Sequence, residues 1–109
     1  MEKTVKNQVW NFNDRIDAEV CAEGVERKIL AYTDELMCVE NHFKKGAVGA
    51  LHHHPHTQIT YVVSGSFEFE IDGVRRVIKP GDALLKHGCV CLEDGILLDI
   101  FTPMRQEFV

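Results

Sequence analysis

The sequence predicts a single all-β domain, a small jelly-roll barrel (double-stranded β-helix), on three observations. Short β-like runs recur about every eight to twelve residues with turn signals between them. One of those turns, Asp72-Gly73, is a strong signal for a tight two-residue hairpin. Helical patterning is almost absent. At 109 residues the chain has room for one hydrophobic core. Many short strands would leave edges open to aggregation, and closure into a barrel removes them. A closed barrel also has a mouth where a ligand can sit among inward-facing side chains.

The elements follow in order. Residues 1–25 read as an N-terminal arm that holds at most a short helical turn. Its Val9-Trp10-Asn11-Phe12 stretch suits packing on its own barrel or on the partner of a homodimer. The barrel occupies 26–109. Arg27 to Tyr32 and Leu36 to Phe43 are strands parted by Thr33-Asp34. Gln58 to Val63 is the next, ending at a turn over Ser64-Gly65. Phe67 to Ile71 alternates apolar and acidic residues, so one face is buried and the other wet. Val74 to Ile78 returns from the hairpin, and Lys79-Pro80-Gly81-Asp82 turns the chain again. Without a turn, Ala83 to Leu92 would read as one continuous strand, which a jelly roll does not accommodate easily. Ile96 to Phe101 is the last strand, stopped by Pro103, and the tail beyond has room for a short helical turn.

A hydrophobic fraction of 45% and a charged fraction of 27% belong to an ordinary soluble globular protein. The net charge of −5 argues against nucleic acid or an anionic membrane as a partner. No apolar stretch reaches the length of a membrane span, and the N-terminus lacks the apolar centre of a signal peptide, so a cytoplasmic location is expected. Cys21, Cys38, Cys89 and Cys91 form no Cys-x-x-Cys pair. Cys89 and Cys91 fall on one strand face just beyond His87. Buried thiols are expected there rather than a His/Cys metal cluster.

The chemistry lies between Gly46 and Gln58. In extended chain, alternate residues point the same way, so His52 and His54 project to one side with His53 opposite. Gln58 returns to that side as the next strand begins. Two imidazoles and an amide oxygen suit one divalent ion of the Zn, Ni, Fe, Mn or Co kind. A solvent-exposed polar loop is the bland alternative, but the run is internal and interrupted by Pro55, unlike an expression tag.

Gly46, His52, His54, position 58 and Gly65 match the spacing of the first cupin motif, and the chain resembles the cupins from Glu26 onward. The departure is Gln58 where that motif has Glu. The second motif fits less well. Gly81 opens it, but His87 comes about five residues early and Cys91 stands where an Asn is usual. His87 is the one histidine after the first cluster and so the natural fourth ligand. Either the intervening turn is unusually built, or a loop is missing from the chain.

Three stretches, Phe43 to His52, Cys91 to Gly95 and Leu98 to Phe108, are similar to a subgroup of small pectin-degradation cupins that ketonise unsaturated uronic acid monomers. That resemblance implies a small anionic sugar as substrate and a metal held by histidines with a glutamine. It also implies reaction roles for Asp99, Phe101 and Arg105. The residues are consistent with such roles. Leu97, Asp99 and Phe101 share a strand face, and a carboxylate in an apolar run must be hydrogen-bonded, paired or functional. An Asp99–Arg105 ion pair that fastens the tail is the structural alternative, and core packing is the alternative for Phe101. The planar fork of Arg105 suits a substrate carboxylate. Within the cupins the rival activities are metal dioxygenase, sugar isomerase and non-catalytic sugar binding, because the fold alone does not choose among them.

Overall fold

The computed structural model describes residues 1–49, 57–85 and 88–109. Among them the strands are β1 (Glu19–Ala22), β2 (Val25–Tyr32), β3 (Met37–Phe43), β4 (Val48–Gly49), β5 (Thr57–Ile71), β6 (Val74–Ile78), β7 (Ala83–Leu84) and β8 (Cys89–Thr102). Hydrogen bonding runs β1-β2-β3-β8-β5-β6, with β4 added on β8 and β7 on β5, and every pair is antiparallel. The all-β expectation holds. Short 3-10 turns occur at Asn13–Arg15 and Gln106–Phe108, inside the two stretches expected to allow them.

Strands β5 and β8 organise the barrel. They pair with each other along most of their lengths, from Thr57↔Thr102 to Phe69↔Cys89. The C-terminal half of β8 also pairs with β3, and its N-terminal half with β4. The turn expected at Ser64-Gly65 does not form. The strand runs on through these residues with shifts in register, because β5 and β8 cross here at backbone contact. A Cβ on Gly65 would lie 2.5 Å from the Asp94 carbonyl oxygen, and one on Gly95 would lie 2.3 Å from that of Ser64. Two residues without side chains let the ribbon bend instead of turning back.

Ala83 to Leu92 is not one continuous strand. β7 ends at Leu84 against Thr60 and Tyr61, whereas β8 starts at Cys89 against Phe69, at the other end of β5. The Asp72-Gly73 hairpin forms as read, with φ of 51° and 78°, the left-handed pair that a type I′ turn needs.

Alternation fixes the core. Val62, Phe67, Phe69, Cys89, Cys91 and Leu97 pack with Val25 and Phe43, and the Phe43 and Phe67 rings meet edge to face at 5.3 Å. Met37, Val39 and Phe101 form a second cluster, which Phe108 closes from the C-terminal tail. The N-terminal segment lies along β2, where Thr4 Oγ1 donates to the Ile29 carbonyl and the Asn7 amide to that of Tyr32. No helix among the described residues is long and apolar enough to cross a membrane.

Candidate active site

Inward-facing positions of three adjacent strands collect polar side chains at one level of the barrel. The inward residues are Gln58, Thr60 and Val62 in β5, and Leu97, Asp99 and Phe101 in β8. Those of β3 are Met37, Val39 and Asn41. Register sets Thr60 opposite Asp99, Gln58 opposite Phe101 and Val39 opposite Asp99. Among the described residues the buried polar side chains are Gln58, Thr60 and Asp99, and all three touch.

Asp99 is the centre of that network. Its Oδ1 accepts from Thr60 Oγ1 at 2.6 Å and from Gln58 Nε2 at 3.0 Å, and its Oδ2 accepts from Asn41 Nδ2 at 2.6 Å. Burial disfavours the charged carboxylate and raises its pKa. The three hydrogen bonds and the positive charge of Arg105 offset this only in part.

Gln58 is oriented by the same bonds. Its Nε2 also donates to Thr60 Oγ1, at 3.0 Å. With Asp99 ionised, turning the amide over would set an oxygen against its carboxylate, so Nε2 faces Asp99 and Oε1 faces away. That Oε1 is buried and has no hydrogen-bond partner among the described residues. A buried acceptor left unpaired is costly. An oxygen so placed is able to ligate a metal ion, so Gln58 fits the divalent ion expected there. His52, His54 and His87, the other expected ligands, lie outside the described residues.

Arg105 and Phe101 sit beside this network. Arg105 donates from Nε to Glu107 at 2.7 Å, and its guanidinium lies 5.4 Å from the Phe101 ring and 4.4 Å from that of Phe108. The hydrogen bonds to Asp99 come from Asn41, Gln58 and Thr60, so an ion pair fastening the tail is not the arrangement formed. Phe101 is packed among Met37, Val39 and Phe108, the core role that its position left open. Asn41 and Thr60 were not singled out from the sequence. Their signal was present as polar residues at inward positions of alternating strands.

The cysteines carry no chemistry here. Cys89 and Cys91 are buried, and all four thiols are free. Burial pushes the Cys89 pKa up to about 12, leaving a neutral apolar filler.

Comparison with known proteins decides the family. A cupin domain pattern matches residues 39–88. The pectin degradation protein KdgF of Dickeya dadantii is 44% identical over 104 residues, covering 89% of this chain and 94% of that protein. The chain belongs to the cupin family. The structure of KdgF from Halomonas sp. superposes on this cupin with a TM-score of 0.88 at 42% identity, covering 92% of this chain and 99% of that one. An RmlC-like cupin from Shewanella frigidimarina gives a TM-score of 0.89 at 38% identity, over 95% and 98% of the two chains. The polar network of this cupin therefore lies inside a barrel whose relatives match it end to end.

Proposed function

We propose that this cupin converts 4,5-unsaturated monouronates, released from pectin or alginate, to their linear keto form. The observation that carries the reading is the buried Asp99 carboxylate bonded to a glutamine whose own oxygen is left unpaired. Similarity to KdgF, a pectin degradation protein, supports the substrate class. His52, His54, Gln58 and His87 would hold one divalent ion, whose Lewis acidity favours negative charge on substrate oxygen.

The reaction is an isomerisation and needs no second reactant. Opening the hemiacetal breaks the C1–O5 bond, leaves an aldehyde at C1 and frees an enol at C4=C5. A proton then adds at C4 while the enol oxygen gives one up, and C5 becomes a ketone. Asp99 delivers the C4 proton and recovers one from the enol. Its raised pKa keeps the acid form available, and the bonds from Asn41 and Thr60 steady the anion between the two transfers. Arg105 holds the C6 carboxylate with its planar fork. Phe101 backs Arg105 and completes the apolar wall on which the sugar rests.

The working unit in this reading is a cytoplasmic homodimer. Free thiols on all four cysteines support the compartment. Ile59, Tyr61 and Val63 stand exposed in a row on the outer face of β5, and Val9, Trp10 and Phe12 are exposed on the arm formed by residues 1–25. Apolar rows of this kind suit a second copy of the chain.

The test is the ultraviolet absorbance of the conjugated double bond in unsaturated monogalacturonate. Faster loss than the spontaneous rate, abolished by chelator and restored by metal, is expected. Loss at the spontaneous rate with metal restored would move the function to another substrate or to sugar binding alone.

A further inference from the structure

We infer that Arg27 is a second substrate-binding arginine, which closes on the uronate carboxylate together with Arg105. The inference rests on the uronate reading and adds a specificity residue to it. Register places Arg27 opposite Asn41, whose side chain points inward and bonds to Asp99. Arg27 therefore faces into the barrel, between the inward neighbours Val25 and Ile29, where a cation has no packing reason to be.

Its surroundings leave it short of partners. The Arg27 Nε is buried and has no hydrogen-bond partner among the described residues. Its one ion pair among the described residues is a 4.0 Å approach of a terminal nitrogen to Glu19, at the limit of such a contact. The guanidinium stacks 3.8 Å from the centre of the Phe108 ring, the ring that Arg105 approaches to 4.4 Å. Both guanidinium groups thus rest on one aromatic ring, and their like charges repel. An anion received by both relieves that repulsion, and a carboxylate has the geometry to take paired N–H bonds. Arg27 and Phe108 also line a cavity of about 130 Å³, whose wall carries Lys3 as well as Asp17 and Glu19, so the group has space beside it.

The test compares Arg27→Gln and Arg27→Lys with the unaltered chain in two assays. One measures kcat and KM on unsaturated monogalacturonate. The other measures calorimetric binding of saturated galacturonate, with neutral galactose as control. In Arg27→Gln, KM and the galacturonate Kd should rise about 10- to 100-fold, the loss expected for a charged hydrogen bond, with kcat changed far less. Arg27→Lys should recover part of the galacturonate affinity, and galactose binding should not respond to either change. A purely structural role would instead lower thermal stability and affect both sugars alike, which overturns the inference. Unchanged KM and Kd in Arg27→Gln overturn it too, while leaving ketonisation intact. Binding that depends on Arg27 without turnover by the unaltered chain would sink ketonisation and keep the clamp.

Discussion

Gln58 and Asp99 are joined by a 3.0 Å hydrogen bond that serves both residues. It turns the Gln58 oxygen away, buried and unpaired, and gives the Asp99 carboxylate one of its three donors. The amide thus links the expected metal ligand set to the expected proton carrier. A glutamate at position 58 could ligate a metal equally well but, while ionised, could not donate to Asp99. That accounts physically for the departure from the first cupin motif.

Asp99→Asn should therefore abolish most turnover without loosening the fold. An asparagine fits the pocket, because the Asn41 amide can turn over and the Thr60 hydroxyl can reverse. Removal of a general acid typically costs about 10²–10⁴-fold in rate, and kcat on unsaturated monogalacturonate should fall within that span while metal content stays constant. Near-normal turnover would assign the proton to another group.

The same variant has a pH signature in chelator-treated protein. The Asp99 pKa is raised in the fold, so just above the ordinary carboxylate range the native state keeps a proton that the unfolded chain has lost. Stability from this group is present at low pH and lost as pH rises through the raised value. In Asp99→Asn that fall should vanish, and Tm near neutral pH should match or exceed the parent's. A parent whose Tm rises over the same window relative to the variant would contradict the raised pKa.

Gln58→Glu should keep the metal and lose activity. It replaces the Nε2 donor with an oxygen about as close to Asp99 Oδ1, and two carboxylates at that distance cannot both ionise. One proton becomes trapped between them. Turnover should fall about 100-fold, a modest general acid–base contribution, with one metal per chain still found by atomic absorption. Gln58→Ala should instead lower metal occupancy.

Much of the fold was legible because alternation and turn chemistry are local. Phe67 to Ile71, Asp72-Gly73 and Ile96 to Phe101 each declare themselves within a few residues. What failed was the Ser64-Gly65 turn, and what stayed open was the path from Ala83 to Leu92. Both depend on which distant segment lies alongside: Gly65 bends against Gly95, thirty positions away, and no local signal distinguishes a bend from a turn. In the site, Gln58 stood out by its spacing from His52 and His54, and Asp99 as a carboxylate in an apolar strand. Asn41, Thr60 and Arg27 did not, since strand register decides which polar residues meet. The histidines carried the motif, yet the network that orients Gln58 needed tertiary structure.

Thiol labelling should follow burial. Cys21 is exposed, while Cys89 and Cys91 are buried, with Cys89 neutral at any physiological pH. Brief iodoacetamide treatment of the folded protein should modify Cys21 first, and Cys89 and Cys91 only after denaturation, as read by peptide mass. Early modification of Cys89 would mean that the barrel opens readily.

Gly95→Ala and Gly73→Ala separate two ways in which a glycine matters. At Gly95 an added Cβ would meet the Ser64 carbonyl oxygen at 2.3 Å and the Gly65 Cα at 2.8 Å, both backbone atoms of the crossing strand. Neither can move without parting β5 from β8, so the cost should be about 2–4 kcal/mol, in the range of overpacked cores. At Gly73 nothing lies within 4 Å, and the penalty is only that of holding alanine at a φ of 78°. That should cost about 1–2 kcal/mol. Urea titration should show both midpoints lowered at constant m-value, with Gly95→Ala lowered more. Equal losses would mean that the close crossing of β5 and β8 contributes nothing beyond backbone conformation.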